Sequence, residues 1–184
     1  MRKLAIACTS LILGCSTEST HYQALHWFDL IPEDQVTYQM QLDEFEHVAA
    51  AGPQAGLSQV TMRSDIEGKS VKLAGFVVPL ELDVNNVYQF LLVPYHGACI
   101  HVPPPPANQI LHVTTDTGLP IELTHDPIWV EGSIMTTAME FDVAQVGYSL
   151  AMDHAYFYDA AEADTLDHIS TASPYPGVFS SVFN

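Results

Sequence analysis

The sequence predicts a mainly β protein with one or two short helices, built as a small twisted barrel of the OB-like type preceded by an N-terminal helix. Runs rich in β-branched and aromatic residues, each bounded by Gly, Pro, Asn or Asp, recur from residue 71 to residue 158. Gly75 and Pro79 lie within the first run and allow it to bend sharply. The 184 residues, 48% of them hydrophobic, suffice for one domain with a real core, which we place at residues 26–160.

Residues 1–14 are predicted to be a lipoprotein signal peptide. Arg2 and Lys3 form a basic start, residues 4–13 are mostly apolar, and Gly14 precedes Cys15 as in the bacterial lipobox, which this stretch resembles. The apolar stretch is about half of the roughly 20 residues that a membrane-spanning helix needs, so it does not span a membrane by itself. We therefore expect Cys15 to be the lipidated first residue of the mature protein. Ordinary secretion with cleavage nearby is the alternative.

Residues 15–25 are polar and are predicted to tether the domain to a membrane. The residue after Cys15 is Ser16. By the usual bacterial sorting rule an Asp at this position keeps a lipoprotein in the inner membrane, so Ser16 favours the outer membrane. The expected location is the cell envelope, lipid-anchored and facing the periplasm. Residues 161–184 are acidic and then rich in Ser, Pro and Gly, and we expect a loosely attached tail there.

A helix is predicted after Pro32, because apolar residues recur at three- and four-residue spacing with acidic residues between them. Gly52 and Pro53 end it. Its apolar positions are Tyr38, Leu42, Phe45 and Ala49.

Strands are predicted to dominate the rest of the domain. The runs at 71–81 and 87–93 are joined by Asn85 and Asn86, and this arrangement predicts a hairpin. Three further strands are predicted at 109–115, 128–135 and 154–158.

The charge of the chain excludes one class of function. The sequence has 22 Asp and Glu against 5 Lys and Arg, a formal charge of −17, whereas nucleic-acid binding depends on clustered basic residues. This charge also opposes adhesion to anionic lipid. Removal of the signal peptide would leave the 22 acids against Arg63, Lys69 and Lys72, a formal −19.

Cys99 would be the one unmodified thiol of the mature chain, because Cys8 leaves with the signal peptide and Cys15 carries the lipid. It lies two residues before His101, in a segment that ends in the four prolines 103–106. The prolines make this segment a rigid loop beside the core. On an extended backbone both side chains project to one side, and a thiolate with an imidazole suits zinc or copper.

Two ligands do not complete a zinc site, which takes four protein ligands, or three with an open position. Glu81, at the end of the bent strand before the loop, is our first candidate for the carboxylate ligand. His112, just beyond the loop, is our second candidate for an additional ligand. Asn108 and Gln109 are expected to cap the loop or to contact the ligands.

From His26 to about Tyr158 the chain resembles an uncharacterised family of bacterial lipoproteins. That family has a Val-Pro-Leu-Glu strand, then Phe-Leu-Leu-Val-Pro-Tyr, Gly-Ala-Cys-Ile-His, a proline run and Asn-Gln. The matching residues are Val78 to Glu81, Phe90 to Tyr95, Gly97 to His101, Pro103 to Pro106, and Asn108 with Gln109. His96 departs from the family, which usually has Phe there. Members are similar to components encoded beside ABC-type import systems, some of them regulated by zinc supply, so the resemblance implies periplasmic metal handling.

The sequence contains none of the motifs that would indicate an enzyme: no Gly-x-Ser-x-Gly elbow, no His-Glu-x-x-His helix and no phosphate-binding glycine loop. We therefore expect a nonenzymatic lipoprotein that binds zinc through Cys99, His101 and Glu81 and assists a metal import system. The alternative is a structural or interaction lipoprotein of the envelope without metal, in which Cys99 and His101 are core residues.

Overall fold

The computed structural model describes residues 20–33, 61–96 and 105–159. Of these residues, 56% lie in strands, which confirms the mainly β class. The strands are β1 (Gln23–Ala24), β2 (Ser70–Leu82), β3 (Asn86–Val93), β4 (Leu111–Pro120), β5 (Ile128–Glu140) and β6 (Gln145–Phe157). Short 3-10 helices lie at Trp27–Leu30, Ser64–Ile66, Ala107–Gln109 and Ile121–Thr124.

Five of the strands form a closed barrel, as predicted. Their order is β2-β3-β4-β6-β5, and the additional pairing of β2 with β5 closes the ring. Neighbouring strands are antiparallel except β4 and β6, which are parallel. The two-residue β1 adds to β2 in parallel.

The barrel closes because β2 changes its partner halfway along. Ser70–Gly75 pair with β5, whereas residues from Phe76 onward pair with β3. Gly75 stands at the change, and a Cβ on it would lie 2.8 Å from the Val93 carbonyl oxygen, closer than side chains tolerate. At the position of the predicted bend, Gly75 therefore permits the close approach of β2 and β3.

Apolar side chains form two clusters on opposite faces of β3. The inner core fills the barrel and includes Phe90, Leu92, Leu111 and Val113. The alternate residues Leu91 and Val93 of β3 belong to a second group, which we call the outer cluster. The outer cluster comprises Phe76, Leu91, Val93, Ile110, Ala144 and Val146, with Val78, Leu80, Tyr95, Met139 and Phe141 partly buried against it.

The N-terminal helix predicted after Pro32 is not supported, because its apolar positions fall within residues 34–60, outside the described residues. The residues that precede this range include a single 3-10 turn at Trp27–Leu30. Residues 1–19 and 160–184, with the predicted signal peptide and tail, also lie outside the described part. No helix among the described residues is long and apolar enough to cross a membrane.

Three strands differ from the predicted limits by more than one residue. β4 begins at Leu111 instead of residue 109, because Gln109 closes a 3-10 turn. β5 continues to Glu140 and β6 begins at Gln145, well outside the predicted 128–135 and 154–158. The added parts of β5 and β6 pair with each other. Each becomes a strand because the other lies beside it, and the local composition does not reveal this.

Candidate metal site

The predicted ligands divide between the described and the undescribed residues. Glu81 and His112 are described, whereas Cys99, His101 and the predicted lipidation site Cys15 lie outside the described residues. The structure thus places two of the four candidate ligands and the ends of the loop that carries the other two.

Glu81 lies near the end of β2, opposite Gln89 on β3. The pairing of the two strands shifts register between Pro79 and Glu81, since proline donates no ladder hydrogen bond there. The carboxylate is exposed, and its Oε2 accepts a 2.5 Å hydrogen bond from Gln89 Nε2. A charged side chain that would otherwise move freely in water is thereby held over β3.

His112 lies on β4 opposite Leu91 of β3. Only 8% of its surface is exposed, and its ring packs against the Phe141 ring with 5.0 Å between centroids. Burial lowers the pKa of His112 below its ordinary value, because a buried imidazolium loses its hydration. The neutral imidazole is therefore the favoured form at pH 7.

Gln89 connects the two candidates. Its Oε1 lies 3.1 Å from His112 Nε2, while its Nε2 contacts the carboxylate of Glu81. An ionised carboxylate only accepts hydrogen bonds, so the NH₂ group of Gln89 faces Glu81 and its oxygen faces His112. It follows that the proton of neutral His112 is on Nε2. Sequence reasoning missed Gln89, because its place opposite Glu81 depends on register shifts on either side of Glu81 that the sequence does not predict.

Both ends of the proline-rich loop rest on the outer cluster. Tyr95 packs against it, and the His96 ring meets the Phe76 ring edge-on at 5.8 Å between centroids. On the return side Ile110 is a buried member of the same cluster. His112, two residues further along β4, projects to the same face, as its contact with Phe141 shows.

Asn108 and Gln109 fix the return of the loop. The side-chain amide of Gln109 donates a 2.8 Å hydrogen bond to the Trp27 carbonyl and a 3.0 Å hydrogen bond to the Asn108 carbonyl. The side-chain amide of Asn108 donates a 3.4 Å hydrogen bond to the Thr61 carbonyl. Its buried Oδ1 has no hydrogen-bond partner within the described part of the chain. Gln109 therefore caps the loop, because its side chain holds the end of the loop against the 3-10 turn Trp27–Leu30.

Within residues 20–33, 61–96 and 105–159, no three His, Cys, Asp or Glu side chains come together as a metal-binding group. Glu81 and His112 are close but are separated by the Gln89 amide. A zinc site on this face would therefore need ligands from residues outside these ranges, among which are Cys99 and His101 of the loop.

Comparison with known proteins gives a family and a fold. The model of a family described as "Protein of unknown function (DUF3299)" matches residues 27–156. The crystal structure of a DUF3299 family protein from Pseudomonas aeruginosa PAO1 is 34% identical, with a TM-score of 0.60, over 76% of this chain and 99% of that one. A structure of OBody AM3L09 bound to hen egg-white lysozyme is 12% identical, with a TM-score of 0.33, over 60% of this chain and 98% of that one. No curated protein matches.

Proposed function

Since the chain belongs to the DUF3299 family, whose function is unknown, we propose for it a function built on its own residues. We propose that it is a periplasm-facing lipoprotein that binds a transition metal, zinc, as an accessory to a metal import system. The observation that supports this most is that the loop carrying Cys99 and His101 begins and ends on the outer cluster, beside His112.

The proposed ligands are the Cys99 thiolate, neutral His101 and the Glu81 carboxylate. Zinc accepts sulfur, nitrogen and oxygen ligands of these three kinds, and three protein ligands leave one coordination position for exchange. An open position suits a protein that passes its metal to a partner. The formal charge of −17 also raises the local concentration of cations.

The chain is long enough for loop and strand to meet. Gln89, the partner of Glu81, lies four residues before Val93 on β3, about 13 Å along the strand. His101 follows Val93 by eight residues, which span up to about 28 Å when extended. The loop residues are therefore within reach of Glu81.

Calorimetric titration of the lipid-free protein with Zn²⁺ tests the proposal. We expect one zinc per chain, no binding after Cys99→Ala with His101→Ala, and weaker binding after Glu81→Gln. Binding should also weaken as the pH falls, because protons compete for the ligands. His125→Ala is the matched control, since His125 is exposed on the turn after the 3-10 helix Ile121–Thr124. An unchanged titration in the Cys99 and His101 double variant would refute the proposed site.

We further propose that the protein is anchored to the outer membrane by lipid on Cys15 and works beside ABC-type transporter components. The support is the sequence of the first sixteen residues and the family resemblance. Cys15→Ala should release the protein from the membrane fraction, and mass spectrometry should find acyl chains on the N-terminal peptide of the wild type.

A structural or interaction lipoprotein without metal is the second candidate. It is favoured by one observation: Glu81 and His112 already share a hydrogen-bond partner in Gln89, so neither needs a metal to be satisfied. Equilibrium dialysis against zinc separates the candidates, because this reading predicts no bound metal in the wild type.

A further inference from the structure

Strand β6 has neighbours on both sides along only part of its length. β5 pairs with it from Gln145 to Phe157, whereas β4 pairs only with residues 148–151. Beyond Ala151 the strands β4 and β6 part, and among the described residues β5 alone pairs with residues 152–157. We call these residues, about 20 Å of open strand, the β6 edge. An open edge of this kind can pair with a further strand.

One hydrogen bond shows which backbone groups the β6 edge offers. The Tyr158 amide donates to the Pro127 carbonyl at 3.0 Å, so it points toward β5. Successive residues of a strand direct their N–H and C=O groups to opposite sides, so the groups of Tyr156 also face β5. The backbone groups of Ala155 and Phe157 therefore face away from β5, into the space that β4 leaves.

The inner side of the β6 edge is apolar. Met152 and Ala155 are partly buried and pack against the inner core. Phe157 lies opposite the core residue Ile128, and directly opposed residues project to the same face of a sheet. Phe157 is nevertheless 52% exposed. A strand added at this edge would cover these apolar side chains with every second residue of its own.

Acidic side chains lie where β4 and β6 part. Thr114 and Ala151 form the last pair between the two strands. Two residues beyond this pair lie Asp116 on β4 and Asp153 on β6, and both are exposed. The chain as a whole has a formal charge of −17, so a second copy would be repelled, whereas a basic segment would be attracted.

We propose that the β6 edge binds an extended segment of a partner protein in which apolar residues alternate with Lys or Arg. The backbone groups of Ala155 and Phe157 supply the hydrogen bonds of the added strand. Its apolar residues cover the inner side of the edge, and its basic residues lie beside Asp153. No residue of the β6 edge is a proposed metal ligand, so this inference is independent of the zinc function.

The test is the binding of a dye-labelled peptide to the full lipid-free chain, measured by fluorescence anisotropy. The peptide alternates Lys and Val over about seven residues, the length of the edge. A peptide of the same composition with its Lys residues grouped together should bind at least about tenfold more weakly, because it keeps the charge and loses the alternation. A peptide that alternates Glu and Val should bind more weakly still.

N-methylated peptides test for strand addition directly. A strand pairs through the amides on one of its sides, so methylating every Val amide and methylating every Lys amide should have different effects. One of the two peptides should lose binding and the other should keep it. Equal binding of the two would overturn the inference, and this result does not depend on any variant of the protein.

Two pairs of variants test the residues of the edge. Phe157→Ser should weaken binding about tenfold by removing apolar contact, whereas Met135→Ser, at a 45% exposed position of β5, should not. Asp153→Lys should also weaken it about tenfold. Asp142→Lys makes the same charge change at an exposed position between β5 and β6 and should have little effect. Equal effects within either pair would contradict the proposed edge.

Hydrogen exchange locates the bound peptide. In the free full chain the amides of Ala155 and Phe157 should exchange faster than that of Tyr156, which faces β5. The peptide should slow the exchange of Ala155 and Phe157 and leave Tyr156 unchanged. If Ala155 and Phe157 are already protected in the free chain, another part of the chain or a second copy covers the edge, and the proposal is wrong.

Discussion

The indole nitrogen of Trp27 donates a 2.7 Å hydrogen bond to the carbonyl of Ala74, just before the point where β2 changes partner. The Trp27 carbonyl accepts in turn from the Gln109 side chain at 2.8 Å. Trp27, in the 3-10 turn Trp27–Leu30, therefore joins the partner change of β2 to the end of the proline-rich loop. Trp27 is 7% exposed, so water does not replace these bonds easily.

Trp27→Phe should destabilise the protein more than Trp129→Phe. Both tryptophans are buried and both substitutions keep a ring, but only Trp27 Nε1 has a hydrogen-bond partner among the described residues. We expect a difference of about 1 kcal/mol in the free energy of unfolding, because the Ala74 carbonyl is left unpaired in the first variant alone. Urea denaturation of the two variants measures it. Equal losses would show that the Trp27 bond contributes nothing beyond packing.

Tyr148→Phe should loosen the N-terminal turn from the barrel. Tyr148 is fully buried. Its hydroxyl donates a 2.8 Å hydrogen bond to the Leu30 carbonyl and accepts a 2.6 Å hydrogen bond from the Arg63 backbone amide. Removing it leaves two backbone groups without their partner, at a cost of about 1–3 kcal/mol. Hydrogen exchange should become faster at Arg63. Tyr22→Phe is the control, since its bond to Asp153 is exposed and water can replace it.

The sequence predicted the parts of the fold that local signals determine. The β2–β3 hairpin follows from the two β-branched runs, and the glycine inside the first run marks the point where β2 changes partner. The full length of β6 did not, because residues 145–153 mix polar, small and apolar types. These residues become a strand because β4 lies on one side of them and β5 on the other.

The candidate site could be predicted only in part, for a similar reason. The positions of Glu81 before the loop and His112 after it predict both as ligands, and the structure brings both to one glutamine. Gln89 is a neutral residue within a strand, and neither its type nor its neighbours in the sequence indicate a functional role. Its importance comes from the pairing of β2 with β3 and of β3 with β4, which only the strand register supplies.

Gly132→Ala should destabilise the protein more than Gly68→Ala. Gly132 lies at a register shift between β5 and β6, and a Cβ on it would lie 2.1 Å from the Ala151 carbonyl oxygen. Since backbone cannot move aside as a side chain can, we expect a loss of about 3 kcal/mol. Gly68 has a φ of +74° but open space around it, so alanine there meets only backbone strain, about 1–2 kcal/mol. Thermal unfolding in parallel ranks the two, and the reverse order would contradict the tight β5–β6 contact.

Asp83 should make the β2–β3 hairpin sensitive to acid. Its Oδ1 accepts 2.8 Å bonds from the amides of Asn85 and Asn86, and its Oδ2 accepts from the Tyr88 hydroxyl at 3.0 Å. These bonds, first those of the backbone amides, hold the pKa of Asp83 below its ordinary 3.8. The folded state therefore binds this proton less readily than the unfolded state does.

The sign of the effect follows from linkage. A group whose pKa is lowered on folding stabilises the fold above its unfolded pKa, and this contribution disappears as the pH falls through the folded pKa. Asp83→Asn keeps an acceptor oxygen but lacks the charge, so it should be less stable than the wild type at pH 6. The difference should shrink as the pH falls below 3.8, the ordinary pKa of the side chain.

Urea denaturation of both proteins across this pH range measures the difference directly, because the titration of all other acids is common to the two. Asp116→Asn is the matched control: Asp116 is exposed on β4 and makes no hydrogen bond to any described residue. Its replacement removes one negative charge from an acidic protein without removing a turn. If Asp83→Asn and Asp116→Asn change stability alike at every pH, the hairpin turn does not depend on the Asp83 carboxylate, and net charge alone explains the acid sensitivity.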